Sequence, residues 1–137
     1  MFKTFQQKGI ALLPAVLMIG TIMIELGLAL TFVIYLSNLS SYGVRLSQEA
    51  LYAARTGVND AILRTVRDKN FPSGYSVYTI TIGRANVEVT VNKNIPSTNQ
   101  NTIKAVATVL TRKKTMEAVI SIDSNNGEVA IVSFGEI

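Results

Sequence analysis

Neither cysteine nor histidine occurs among the 137 residues of this chain. The commonest general base and the commonest soft metal ligands are therefore missing. A serine nucleophile can work with lysine instead of histidine, but no Ser-x-x-Lys or Gly-x-Ser-x-Gly pattern is present. These gaps argue against an enzyme, and no catalytic residue, metal ligand or cofactor is expected. Without cysteine there is no disulfide, which small exported domains often use. Any exported part must then rely on packing or on its neighbours. Acidic residues are also scarce at the start, where Lys3 and Lys8 precede the first acid, Glu25.

What the chain does have is an apolar run from Ile10 to Leu36, with Glu25 as its one ionisable side chain. A bilayer core about 30 Å thick needs roughly 20 apolar residues in a helix, and this run exceeds that. It reads as a membrane helix. The positive-inside tendency places the residues before Gly9 in the cytoplasm and those after Leu36 outside. A secretory signal has a shorter apolar stretch ending in a small-residue Ala-x-Ala-like site, whereas here the run is followed by Ser37-Asn38-Leu39-Ser40-Ser41. Two readings are left. One is an uncut anchor carrying an exterior binding domain; the other is a signal cut on the cytoplasmic side, after Gly9, which leaves the helix attached.

The second reading is supported by the leader ending Gln6-Gln7-Lys8-Gly9, the segment Ile10-Ala11-Leu12-Leu13-Pro14-Ala15-Val16-Leu17, and the run Gln48-Glu49-Ala50-Leu51-Tyr52-Ala53-Ala54-Arg55-Thr56-Gly57-Val58-Asn59-Asp60-Ala61. In these the chain resembles the type IV pilins, and the last stretch is similar to the Ala-rich segment with a central Gly of minor pilins and pseudopilins. The resemblance covers about the first half of the chain. It implies a prepilin leader of residues 1–9, cleavage between Gly9 and Ile10 by a prepilin peptidase, and methylation of the new amino terminus at Ile10. The implied partners are other pilin subunits, the assembly machinery of the inner membrane and membrane lipid, and the end point is a cell-surface filament. At two positions the chain departs from the pattern: pilins usually begin with Phe and carry Glu fifth, where this chain has Ile10 and Pro14.

Beyond Leu36 the apolar pattern becomes periodic. Val44, Leu51, Val58, Ile62 and Val66 recur at sevens and fours, the spacing of one helical stripe. One helix is expected from about Ile10 to Asp68, about 85–90 Å long at about 1.5 Å per residue. Asn70-Phe71-Pro72-Ser73-Gly74 should end it. From there the period is two. Strands are expected around Tyr78–Ile82 and Ala85–Val91, with a turn at Gly83-Arg84, then a polar loop over Asn92–Asn101. Two more follow around Ile103–Val109 and Met116–Ile122, with Arg112-Lys113-Lys114 as a charged turn between them. Asn126-Gly127 predicts a type I′ turn into a fifth strand, Glu128–Phe134. The fold class expected is α+β, with residues 37–137 as an exterior domain in which the helix stripe covers one face of a meander of about five strands.

Three features carry the functional expectations. Glu25 lies near the middle of the apolar run, where a charge costs on the order of 3 kcal/mol. It is expected to dock against another subunit, for instance a neighbour's amino terminus or its Thr21; the plainer alternative is a bond to Thr21 of its own helix. Pro14 would cost about 3 kcal/mol inside a helix, but after cleavage at Gly9 it disturbs only a frayed end. It is grouped with Glu25 and Thr21 as part of the docking region. The chain is basic, with net charge +4 and pI about 9.5, and Arg112, Lys113 and Lys114 form a weak basic patch. No aromatic residue interleaves with them, and nucleic acid is not the expected partner.

Overall fold

The chain has three prolines, Pro14, Pro72 and Pro96, and a single uninterrupted helix occupies the space between the first two. In the structure, a computed structural model that describes residues 12–68 and 70–137, helix α1 is Leu12–Arg67. It is followed by β1 (Tyr75–Ile82), β2 (Ala85–Lys93), β3 (Gln100–Val109), β4 (Arg112–Ile122) and β5 (Val129–Glu136). All neighbouring strands pair antiparallel in the order β1-β2-β3-β4-β5. This is the α+β arrangement the patterning predicts. Two compact units divide between Tyr42 and Gly43. Gly9 and Ile10, with the cleavage expected there, lie outside the described residues.

In the first unit every described residue is exposed. The large apolar side chains from Leu12 to Tyr42 keep between 48% and 70% of their surface open. Pro14 lies within α1, near the first described residue.

The second unit is built on close approach. The face of α1 that meets the sheet is Leu46, Ala50, Ala53, Ala54, Gly57, Val58, Ala61 and Thr65. Opposite it the sheet presents Val87, Val89 and Val91 from β2, Ile103, Ala105 and Val109 from β3, and Ala118 and Ile120 from β4, all fully buried. Mostly small residues on the helix, with Leu46 and Val58 as the larger ones, interdigitate with branched ones on the pleat. Gly57 marks the tightest point: a Cβ there would lie 2.7 Å from Val87 Cγ1 and 3.1 Å from Val89 Cγ2.

This corrects the stripe drawn from the large residues. Of those five positions only Val58 is buried; Leu51 and Ile62 flank the core, and Val44 and Val66 stay 58% and 59% exposed. The apolar periodicity is real, but the face buried against the sheet is turned toward the alanines, because only they allow the backbone to approach.

Three further expectations change. Arg112-Lys113-Lys114 is not a turn. These residues open β4 and pair with Val109, Thr108 and Ala107, while the turn is Leu110-Thr111, with Leu110 at φ 51°. A non-glycine residue there costs about 1–2 kcal/mol. Asn126-Gly127 is not a type I′ turn, since only Gly127 takes a positive φ, 74°. The loop is wider and is held by Asp123, whose N–H donates to Glu128 O at 2.9 Å and whose Oδ1 accepts from Asn125 N at 2.7 Å. The polar loop before β3 shrinks to residues 94–99, because β2 and β3 pair as far as Lys93 and Asn101. The fifth strand also lacks the expected cover. Ile131, Val132 and Phe134 are 58%, 56% and 38% exposed, and a bulge puts Ile131 opposite Ile120 and Ser133 opposite Val119.

The helix ends as expected. Asp68 accepts from Phe71 N at its carbonyl, 2.9 Å, and from Asn70 N at its carboxylate, 2.9 Å. Arg64 and Arg67 occupy the last turn, where cations favour the helix dipole.

Replacing Gly57 by Ala should lower the stability of the domain by about 1–3 kcal/mol through overpacking, although alanine is the better helix former by about 1 kcal/mol. Gly20→Ala, at a site with nothing within 4 Å, serves as the control. Urea denaturation of both should show a loss at Gly57 alone.

Candidate functional site

Two surfaces can carry function: the uncovered apolar length of α1, and the rim of the domain where helix and sheet edges meet. On the first, the polar side chains are mostly satisfied within the helix. Thr21 Oγ1 donates to Leu17 O and Thr31 Oγ1 to Gly27 O, both at 2.8 Å, so neither hydroxyl hinders burial in an apolar surrounding. Glu25 is different. The Thr21 proton goes to Leu17, not to Glu25, and among the described residues no hydrogen bond or ion pair satisfies the Glu25 carboxyl. The bond to Thr21 within its own helix is not made. Gly20 and Gly27 have open space around them, which leaves the helix backbone approachable on those sides.

On the domain, polar contacts fasten the helix to the sheet on the β1 side. Arg84, in the β1–β2 turn, forks onto Glu49 of α1 with Nε–Oε1 2.8 Å and Nη2–Oε2 2.6 Å. That bond holds the Glu49 carboxyl below its ordinary value. Near the helix end Asp60 Oδ2 accepts from Arg64 Nε at 2.8 Å and from the Tyr78 hydroxyl at 2.9 Å. The Arg64 guanidinium lies 4.4 Å from the Tyr78 ring centroid, and Phe71 meets the same ring edge-on at 6.3 Å. Burial first, then the bond to Asp60, pushes the Tyr78 phenol well above its usual range. The sequence reading singled out neither member; the Asp60-x-x-x-Arg64 spacing is the i,i+4 signal that could have found the pair, and Tyr78 has no local signal.

On the β5 side the surface is apolar and open. The bulge keeps Ile131 and Phe134 on the face that looks toward the helix. Arg55 lies over the Phe134 ring at 5.7 Å. A shallow cavity of about 290 Å³ is lined by Leu51, Tyr52, Arg55, Met116, Phe134 and Glu136.

The structure splits the basic patch. In β4, Arg112 and Lys114 share the face of Met116, and Lys113 points to the other. Lys114 is paired with Glu136, and the Arg112 guanidinium lies against Gly43, 2.9 Å from where a Cβ would be. Lys113 lines a cavity with Glu88 and Thr108 on the opposite side of the sheet. Three cations on two faces do not make a groove that tracks a phosphate backbone. At the far end of the sheet Asn70, Asn94, Asn99, Asn101 and Asp123 surround a polar cavity of about 180 Å³. Asn101, 1% exposed, accepts from Asn94 N at 3.2 Å, and its Nδ2 has no protein partner. Among the described residues no group of three or more acidic side chains is close enough to hold a metal ion.

Compared with protein-family models, curated proteins and solved structures, the chain finds no match. The function is therefore argued from the geometry. The described helix is long and apolar enough to cross a membrane, with a mean hydropathy of 2.2 over its most apolar window and none of that window buried.

The Tyr78 contact should show in the pH dependence of stability. A group whose folded pKa is raised contributes stability that is complete below its unfolded value, about 10, and is lost as pH climbs toward the folded value. Tyr78→Phe should cost about 1–2 kcal/mol at neutral pH, and the gap to the native chain should narrow above about pH 10. Denaturant melts across that range test it.

Proposed function

We propose that this chain is a structural subunit of a type IV pilus or a related filament, stored in the cytoplasmic membrane and polymerised through its amino-terminal helix. The observation that carries this reading is the two-part use of α1. Its first length is apolar and uncovered, while its second is a small-residue face packed on an antiparallel meander. A helix built only to anchor a domain has no need of a second half shaped to the sheet, and a helix built only for the domain has no need of the first.

In this reading the leader is removed after Gly9, and Ile10 becomes the methylated amino terminus. Residues 10–36 are first held in lipid and then gathered among the corresponding helices of other subunits. Glu25, with no partner among the described residues of its own chain, is relieved by a neighbour. Its cost in an apolar medium is on the order of 3 kcal/mol, large enough to favour association with any helix that offers a donor. Pro14, near the processed end, leaves the rest of the helix undisturbed. The subunit is non-enzymatic and uses no cofactor; its partners are other pilin subunits, the prepilin peptidase and the assembly machinery of the inner membrane.

Processing distinguishes this reading from an uncut anchored binding protein. Intact-mass measurement of the protein from membranes should show loss of Met1 to Gly9, and replacing Gly9 by a bulky residue should leave the leader attached. An unchanged mass in both would remove the pilin reading.

The role of Glu25 is tested by a pair of variants. Glu25→Gln and Glu25→Leu should both insert, since each lowers the cost of placing the helix in lipid. If charge docks the subunit, both accumulate in the membrane and fail to enter filaments; if a neutral hydrogen bond suffices, Gln assembles and Leu does not. Normal assembly of both would exclude Glu25 from docking.

A further inference from the structure

The antiparallel meander puts the β1–β2 and β3–β4 turns at one end of the sheet and the two longer loops at the other. Contacts identify the first end as the one where α1 enters the domain: Arg84 of the first turn grips Glu49, and Arg112, after the second, lies against Gly43. Gly43 follows Leu36, the last residue of the apolar run, by about seven positions, a reach of at most about 25 Å even for an extended chain. About seven residues of chain therefore separate this end of the domain from the apolar run.

Its chemistry is unusual for a surface facing only water. Leu110, at the tip of β3–β4, is 64% exposed and takes a left-handed backbone, φ 51°, a position at which Asn or Gly is easier to place. No core contact within the domain accounts for a leucine there. Arg112 and Lys113 follow it, and neither has a carboxylate partner among the described residues; Arg45 lies one turn below Glu49 on the helix. Of the acids at this end, Glu49 is engaged by Arg84 and Glu136 by Lys114, while Glu88 shares a cavity with Lys113 without an ion pair. Cations without partners around a projecting apolar side chain match an anionic lipid surface, which takes the charges at its headgroups and the leucine below them.

We propose that the β3–β4 tip, through Leu110, Arg112 and Lys113, rests on the anionic surface of the bilayer that holds the apolar helix. The proposal relies on the membrane-stored state described above and adds to it a contact that fixes the domain against the headgroups before assembly. Leaving the membrane then requires giving up this contact.

The chain has no tryptophan, so a single indole reports without background. Full-length protein carrying Leu110→Trp is reconstituted in vesicles of phosphatidylcholine alone or with a third phosphatidylglycerol, each containing a brominated lipid. Ile95→Trp, in the loop at the opposite end, is the control. The Leu110→Trp indole should be quenched several-fold more in the anionic vesicles than in the neutral ones. That excess should disappear when Arg112→Ala and Lys113→Ala are added, and shrink at high salt. The Ile95→Trp indole should stay unquenched in both. Protein that floats with the vesicles but shows no quenching at Leu110→Trp, or equal quenching at the two sites, overturns the lipid contact and leaves the membrane reading standing. Protein that fails to float overturns the membrane reading, and the proposal with it.

Discussion

An apolar helical length that its own fold leaves uncovered is the constraint on which the rest of the structure depends. From Leu12 to Tyr42 the large side chains stand open, and burying each is worth roughly 1.5–3 kcal/mol. Their sum is tens of kcal/mol, several times the 5–15 kcal/mol that holds a typical domain together. No adjustment within the domain could absorb that surface. In the proposed filament reading it is met first by lipid and then by other helices. The hydroxyls of Thr21 and Thr31, bonded back to the helix, keep the polar cost of either medium low. Glu25 is the exception, and for that reason the most informative residue on the surface.

The same helix solves a different problem after Gly43. There it must meet a sheet, and it does so with four alanines and Gly57, beside Leu46, Val58 and Thr65, letting the backbone come so near that Gly57 has no room for a methyl group. Bulk is supplied by the sheet. The core is consequently thin, and it is centred on β2, β3 and β4; the two edge strands are treated unequally. The Glu49–Arg84 fork and the Asp60–Tyr78 bond tie down the β1 side, where solvent exposure limits what each ion pair contributes. On the β5 side the described residues offer the Arg55–Phe134 stacking and the Lys114–Glu136 pair beside an open apolar strip.

Much of this was legible in the sequence, and the failures have a common cause. Element order, the helix end at Asn70–Gly74 and the Gly83-Arg84 turn followed from periodicity and turn chemistry, because each depends on local backbone preferences. The buried helix face did not, since alanine contributes little to an apolar pattern, and the eye followed Val44, Leu51, Ile62 and Val66 instead. The β3–β4 turn was hidden because Leu110 is not a turn residue, and three charges in a row resembled a loop more than the start of a strand. The absence of cover over β5 depended on which side of the helix faced the sheet, a tertiary fact with no local signal. Glu25 stood out by its depth in the apolar run, whereas the Asp60–Tyr78 and Gly43–Arg112 contacts join residues far apart in the chain and had no signature at all.

The claim that the apolar length exchanges lipid for neighbouring helices is tested most directly by a photoactivatable benzophenone side chain at Leu28, which is 67% exposed. Illuminated in cells, the protein should crosslink to lipid in the membrane fraction and to other filament proteins in material sheared from the surface. Lipid adducts alone, with none of the protein in the sheared fraction, would contradict the account and leave the helix as an anchor.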